Sequence, residues 1–245
     1  MKTKFLFLLM ILSLKGFSQD NISIQITPLK TQAFSLSPMS SKLQKVNGLV
    51  FGLGHIDNKK ISRQTINGLN LEANPAPIAG AFAAFLMVMY LPEIIKNGGK
   101  QNDTLNGDLY LKVEDWDKTP FLKLNGISIS SGCFFVPTSM NGLNISFANK
   151  FKNFNGLSIA PLGTMSDRQT GVSVGLANVN NDMNGFTAGF YNQSLKLDGL
   201  QVGIINFAKT NHGLQVGLFN RSYSRGFQVG VWNVNKKRSL PFINW

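Results

Sequence analysis

Five copies of an eight-residue phrase in the last third of the chain constrain its fold more than any other feature. The phrase is Gly-Φ-x-Φ-Gly-Φ-x-Asn, where Φ is an apolar residue or alanine. Its copies begin at Gly171, Gly185, Gly199, Gly213 and Gly226, at steps of 14, 14, 14 and 13 residues. A repeat this regular indicates one structural unit copied side by side.

Within each phrase, apolar residues alternate with glycine and polar residues. In the copy that begins at Gly213, Leu214, Val216 and Leu218 fall on one face, and Gln215 falls on the other with the glycines. A period of two residues is typical of a β-strand with two unlike faces. Each phrase is therefore predicted to form a strand.

The segments between the phrases decide between two arrangements of these strands. They are polar and carry no second apolar stripe: Val179–Asn184, Gln193–Asp198, Phe207–His212 and Arg221–Arg225. A β-solenoid would have to return the chain across about 26 Å, the length of eight extended residues, and bury apolar residues on the way. An antiparallel meander needs only a turn there, so the sequence favours the meander.

Weaker copies extend the pattern towards the N-terminus. Asn-Gly pairs, which favour turns, precede apolar alternation at Asn47, Asn67, Asn106, Asn125, Asn141 and Asn155. Strands are expected near 21–28, 33–38, 47–54, 67–73, 107–113, 125–135, 142–149 and 156–161, in the five clear repeats and at the C-terminus. Because a closed sheet has no exposed edges, the predicted fold is all-β, an antiparallel meander that closes into a barrel of about 12 strands.

Two orientations of the strand faces stay open. An outward apolar face would meet lipid and leave Gly and Gln inside, as in a transmembrane barrel. An inward apolar face would give a soluble barrel or sandwich. The working hypothesis is that lipid meets Leu200, Val202, Leu214, Val216, Val229 and Val231. Gln201, Gln215 and Gln228 would then face the interior.

The repeats and the C-terminus resemble those of bacterial surface-repeat proteins. The resemblance rests on Gly-Leu-Gln-Val-Gly-Ile-Ile-Asn at 199–206, Gly-Leu-Gln-Val-Gly-Leu-Phe-Asn at 213–220 and the final Leu-Pro-Phe-Ile-Asn-Trp at 240–245. It covers 171–245 well, 125–170 loosely and the N-terminal part poorly. It implies placement at the cell surface or outer membrane, with no established activity and no functional residues to carry over.

The first 18 residues are predicted to be a secretory signal peptide. Lys2 and Lys4 precede an apolar run from Phe5 to Leu14, and Gly16 and Ser18 suit a cut before Gln19. Residues 19–245 then form a single repeat-built β domain, with its clearest repeats in 171–233. No Pro- or Ser-rich linker divides it.

One segment does not follow the strand pattern. Ala73 to Pro92 holds twenty residues without a charge. We expect one apolar helix near 78–96, packed against the β-structure. A membrane helix and a pair of short apolar strands remain the alternatives.

Charge and composition limit the partners. The chain has 24 basic and 12 acidic residues, and loss of Lys2, Lys4 and Lys15 leaves 24 − 3 = 21 basic residues and a net charge of +9. These charges fall in turns rather than on one element with interleaved aromatic residues, so no nucleic acid is expected. Membrane lipid is the expected partner, and an anionic surface glycan is a possible one.

The sequence carries no pattern of a catalytic, cofactor or metal site. His55 and His212 are expected to be exposed polar residues, and Cys133, the one cysteine, to be inert in an apolar strand. Glu114, Asp115 and Asp117 are expected in a solvated loop around Trp116. No phosphate loop and no nucleophile beside a base occurs.

The predicted function is therefore that of a non-enzymatic outer-membrane or cell-surface β-barrel with a structural, pore or surface-interaction role. The alternative is a secreted soluble β-protein, a sandwich or solenoid, that binds a glycan or a surface partner.

Overall fold

The computed structural model describes residues 30–55, 63–74, 121–132, 134 and 136–245. These residues form twelve strands in one sheet. In chain order the strands are β1 (Lys30–Ser37), β2 (Leu43–Gly52), β3 (Gln64–Glu72), β4 (Leu122–Ser130), β5 (Thr138–Ser146), β6 (Ala148–Ile159), β7 (Gly163–Val174), β8 (Ala177–Leu197), β9 (Leu200–Asn211), β10 (Leu214–Ser222), β11 (Phe227–Val234) and β12 (Ser239–Asn244).

The strands follow one another through the sheet in the order of the sequence, and nearly all of them run the same way. Every pair from β1–β2 to β10–β11 is parallel, and only β11–β12 is antiparallel. A parallel strand directly beside its predecessor requires the chain to complete one full coil between them. The described part of the chain is thus a β-solenoid.

The predicted antiparallel barrel is wrong. β1 and β12 are the two edges of an open sheet. Val202 pairs with Val216, and Val216 with Val229, in parallel strands at constant register. An antiparallel meander would have placed these residues on strands of opposite direction, so the solenoid replaces it. The prediction of an outer-membrane barrel is therefore wrong as well.

Strand β8 shows how the chain can complete a coil through a polar segment, which the prediction of a meander had excluded. Its 21 residues exceed the 14-residue step at which Phe186 pairs with Leu200, so β8 overlaps its own next coil. Asn178 accordingly contacts Asn192 within the same strand. The chain therefore bends while it stays extended. The return segment needs no apolar stripe, because buried Asn180 and Ser194 line the interior there.

The Asn-Gly pairs among the described residues are corners within strands rather than turns between antiparallel strands. Asn141-Gly142 lies in the middle of β5 and pairs with Asn125-Gly126 in β4. Gly142 has a φ of 133°, a backbone conformation that residues with a Cβ rarely adopt. A Cβ there would also collide with the carbonyl group of Gly126 in the coil below. Glycine is thus required both by the backbone conformation and by the close stacking.

The interior changes character along the solenoid. The N-terminal coils enclose an apolar core that includes Val46, Ile66, Leu122, Met140 and Phe154. The C-terminal coils enclose mostly amides and hydroxyls, with small apolar clusters around Tyr191 and Leu197. Burial raises the pKa of the Tyr191 phenol, whose hydroxyl donates a hydrogen bond to Gln193 at 2.8 Å.

Strand β12 forms the C-terminal edge of the sheet and is its one antiparallel strand. β12 carries Pro241 on the edge, and its register with β11 shifts between Gly230 and Asn233. A proline is tolerated at such an edge because no ladder hydrogen bond is needed there. Arg238 lies over the Trp245 ring at 3.9 Å and donates a hydrogen bond to its carbonyl oxygen at 2.9 Å.

Several predicted elements lie outside the described residues. These are the signal peptide 1–18, the strands near 21–28 and 107–113, the helix near 78–96, Cys133 and the acidic cluster at 114–117. The described residues contain strands and no helix. None of their segments is therefore a helix that could span a bilayer.

Candidate functional site

The outer surface of the sheet carries two unbroken columns of apolar side chains, which together we call the apolar face. Register places one residue of each column on every strand from β1 to β11. The first column is Phe34, Leu49, Leu69, Ile127, Leu143, Leu157, Val172, Phe186, Leu200, Leu214 and Phe227. The second column is Leu36, Phe51, Leu71, Ile129, Ile145, Ile159, Val174, Ala188, Val202, Val216 and Val229.

These side chains are exposed or half-buried, and none of them is fully buried. Phe51 is 52% exposed, Ile145 39% and Val174 41%. Such values are large for residues whose flanks are covered by the coils above and below. Beyond the second glycine of the clear repeats, a shorter third column continues the exposed apolar surface. It consists of Leu176, Phe190, Ile204, Leu218 and Val231.

The apolar face is larger than the exposed apolar patches of ordinary soluble proteins. Eleven strands spaced about 4.8 Å apart extend over about 50 Å, and the columns cover about 15 Å across. The product, about 750 Å², exceeds the largest patch of a typical monomer, about 300–600 Å². No charged or polar residue interrupts either full column. A surface of this kind marks a site of contact with another molecule.

The side chains behind the apolar face are polar and are held by ladders of hydrogen bonds. Gln215 donates from its amide to Gln201 at 2.8 Å, and Gln228 donates to Gln215 at 2.9 Å. Asn244 of β12 continues this ladder to Gln228 at 3.2 Å. All four side chains are buried. The hypothesis that the glutamines face the interior is confirmed.

The asparagine that closes each repeat forms a second buried ladder. Asn178, Asn192, Asn206, Asn220 and Asn233 are joined by side-chain hydrogen bonds of 2.7–2.9 Å. The second glycine of the repeat leaves room for this ladder, because a Cβ at Gly203 would lie 2.5 Å from the Asn192 amide nitrogen. Together the two ladders fix the register of the C-terminal coils and hold the C-terminal part of the apolar face in one arrangement.

The rim of the apolar face at the Asn-Gly corner is uncharged over most of its length. Asn67 donates to Asn47 at 2.8 Å, Asn125 to Asn67 at 2.7 Å and Asn141 to Asn125 at 2.8 Å. The same rim continues through Thr170 and Asn184. Its first charged residue is Asp198, and Arg225 follows two coils later. Most of this rim therefore offers amides rather than ion pairs.

The described residues are strongly basic, but their charges lie off the apolar columns. They include 15 Lys and Arg against 4 Asp and Glu, a net charge of 15 − 4 = +11. Among the acids, Asp198 pairs with Lys196 at 2.6 Å and with His212 at 3.0 Å. The hydrogen bond from Lys196 holds the pKa of Asp198 below its usual range. His212 is exposed, as predicted.

His55 is buried, and its predicted exposure is wrong. Its Nε2 lies 2.8 Å from Oε1 of Glu72 and 3.3 Å from Oδ1 of Asn70. Asn70 donates to the same Glu72 oxygen at 2.9 Å. Within the described residues, His55 Nδ1 and Glu72 Oε2 make no hydrogen bond. One signal of this burial is visible in the strand alternation: Glu72 lies two residues after Asn70, on the same inward face.

This buried pair is not part of a larger cluster of metal-binding side chains within the described ranges, where no group of three or more His, Cys, Asp or Glu residues converges. The His55 and Glu72 side chains are fully shielded from solvent. The pair is placed to support the interior of the N-terminal coils, whereas the apolar face is the surface open to a partner.

The fold and the face define a β-solenoid protein with a polar interior and an apolar exterior on one side. Family models, curated proteins and solved structures contain no match to this chain. The repeating coils are compatible with the resemblance to bacterial surface-repeat proteins, although coils of this kind do not identify the repeat type.

Proposed function

We propose that this chain is an exported, non-enzymatic interaction protein whose contact surface is the apolar face. The observation that carries the proposal is the pair of unbroken apolar columns over β1 to β11. Their side chains lie outward while glutamine and asparagine are buried behind them. This inversion of the usual pattern places apolar area on the surface, where contact with a partner would remove it from water.

The chemistry of the face favours an apolar partner over a glycan. A glycan presents hydroxyl groups that need hydrogen-bonding side chains, and the columns from Phe34 to Phe227 and from Leu36 to Val229 contain none. Polar groups buried without a hydrogen bond cost about 1–3 kcal/mol each, so a sugar surface would bind this face poorly. The basic residues that could attract an anionic glycan lie off the columns.

Export is the part of the proposal that rests on the sequence. The order of basic, apolar and small residues in 1–18 supports a secretory signal and a cut before Gln19. The resemblance to surface-repeat proteins supports the same destination, the cell surface. The intact mass of the protein recovered from producing cells tests export, and a mass that still includes residues 1–18 would contradict it.

Cysteine accessibility tests the contact surface directly. In a Cys133→Ser background, Ile145→Cys places a thiol on the apolar face, and Asn141→Cys places a matched thiol on the rim of the same strand. We expect a water-soluble maleimide to label Ile145→Cys much more slowly than Asn141→Cys on producing cells. In dilute purified protein the two rates should approach each other. Equal labelling in both settings would show that nothing covers the face, and the proposal would fail.

A further inference from the structure

We propose that the partner covering the apolar face is a second copy of this chain, packed face to face with its solenoid axis reversed. This inference rests on the proposed function, that the face is a contact surface. It adds the identity of the occupant and the orientation. The arrangement is a two-fold dimer in which β6 of one copy opposes β6 of the other.

The size of the face matches what such a dimer needs. The face covers about 750 Å² on each copy, from the strand spacing given above. A stable interface of standard size buries about 800 Å² on each partner. Two sheets pack about 10 Å apart when their inner faces carry aliphatic side chains, which is the composition of these columns. Face-to-face packing would thus turn two exposed sheets into the two layers of a sandwich.

The orientation follows from a gradient of side-chain size along the second column. Its N-terminal half carries the larger residues Phe51, Ile129 and Ile145, and its C-terminal half carries Ala188 and Val202. Reversing one copy about an axis parallel to the strands keeps each column opposite its own counterpart. It also brings β4 opposite β8, so Ile129 meets Ala188. Large residues then oppose small ones along the column, which fills the space between the sheets evenly.

A parallel dimer would lose this complementarity. Its two-fold axis would run along the solenoid and set the first column of one copy against the second column of the other. Ile129 would then face Ile127, and Val202 would face Leu200, so the N-terminal half of the interface would be overfilled relative to the C-terminal half. Both faults lower stability, because overpacking and cavities are each destabilising. The reversed arrangement also closes on itself and leaves no apolar face free for a third copy.

The rim of the face favours a second copy over a lipid surface. A protein that lies on an anionic bilayer places basic residues at the edge of its apolar surface. Here the rim at the Asn-Gly corner carries the asparagine ladder through Asn67, Asn125 and Asn141 instead. Uncharged amides let two copies of the same basic protein approach without opposing like charges at the contact.

Sedimentation of the purified full chain lacking only residues 1–18 tests the dimer. We expect a monomer–dimer equilibrium and an increase in its Kd of about tenfold or more for Ile145→Lys, which buries an unpaired charge at the contact. The matched control is Leu195→Lys, an apolar-to-lysine change at a half-buried position one coil before Lys209. This control should leave the Kd unchanged. Unaltered circular dichroism shows that both variants are folded. Ala188→Phe supplies a second, uncharged test, because it overpacks the interface between the two apolar faces and should also raise the Kd.

Mixed cross-linking tests the orientation. Chains carrying Ile129→Cys are mixed with chains carrying Ala188→Cys, both in the Cys133→Ser background, and treated with a bis-maleimide that spans about 10 Å, the separation of two packed sheets. We expect maleimide-linked dimers in the mixture and far fewer in either variant alone. Efficient cross-linking of each variant with itself would show a parallel dimer and overturn the proposed orientation.

Other occupants give distinct results. A monomer at every concentration that binds phosphatidylglycerol vesicles through the face would assign it to lipid. Cross-links from Ile145→Cys to residues 75–120 of the same chain would assign it to that segment. Either result overturns the second copy while the face stays a contact surface. A face that is freely labelled on cells and in a monomeric protein overturns the proposed function itself.

Discussion

Asn206 donates a hydrogen bond from Nδ2 to Oδ1 of Asn220 at 2.8 Å, and both side chains are buried one coil apart. Asn206 also accepts a bond from Asn192 at 2.9 Å and donates a second bond to the carbonyl oxygen of Val216 at 2.9 Å. The asparagine that ends each repeat is therefore an internal tie between coils. Each inner member of the ladder is bonded to two neighbours, as Asn206 is.

Replacing Asn206 with alanine should destabilise the solenoid strongly. The change removes three hydrogen bonds and leaves the Asn192 amide and the Asn220 oxygen without these partners. With about 1 kcal/mol for each bond, the free energy of unfolding should fall by about 2–4 kcal/mol. Urea unfolding followed by circular dichroism measures the loss.

Asn184→Ala is the control for this substitution, because Asn184 is exposed at the corner of its coil. Its effect should stay within about 0.5 kcal/mol, as is usual for surface changes. Equal losses for Asn206→Ala and Asn184→Ala would contradict the ladder.

Gly142→Ala should be more damaging than its small size suggests. The residue has a φ of 133°, and the added Cβ would collide with backbone atoms of Gly126, which cannot move without shifting the coil. Strain of this kind costs about 1–3 kcal/mol before the collision is included. Thermal unfolding should therefore occur at a clearly lower temperature. The neighbouring Asn141→Ala removes one exposed hydrogen bond and should change the unfolding midpoint little. Similar midpoints for the two variants would show that glycine is not required at position 142.

The buried pair of His55 and Glu72 should be energetically coupled. Removing either partner leaves the other buried in the interior without its 2.8 Å contact. Breaking a buried pair of this kind costs about 3–5 kcal/mol, whereas replacing both members with apolar residues costs less. His55→Leu and Glu72→Leu should each destabilise the protein, and the double variant should lose less than the sum of the two. Additive losses in this double-mutant cycle would show that the two groups stabilise the fold separately.

The repeat predicted much of this architecture because glycine spacing and alternation are local properties. The 14-residue step and the strands over 33–38, 47–54 and 67–73 overlap the observed β1, β2 and β3. The placement of Gln215 and Val216 on opposite faces also followed from alternation, and Gln215 is the buried member of the two. These features depend on neighbours in the chain, so a single sequence suffices to find them.

The direction of the strands could not be predicted because it depends on what fills the interior. The polar segment between two repeats was expected to bury apolar residues if it returned the chain to the start of the next coil. In the structure, Ser194 and Asn206 fill the interior with hydrogen bonds instead. Asn-Gly was interpreted as a hairpin turn, although its positive φ serves equally well at a corner between coils. The burial of His55 was missed for a similar reason: its partner Glu72 is 17 residues away and meets it only through the stacking of coils.

Asp198→Asn should change the acid stability of the protein in one direction only. Lys196 holds the pKa of Asp198 below the ordinary value of 3.8, so the charged carboxylate favours the folded state. Its contribution is present above pH 3.8 and is lost as the pH falls through the lower folded value. Wild type should therefore be slightly more stable than Asp198→Asn at neutral pH, and the difference should vanish in stronger acid. Because the pair is exposed, high salt should shrink the difference as well. Urea unfolding at pH 7 and pH 2, with and without salt, measures both effects, and a difference that grows on acidification would contradict this assignment.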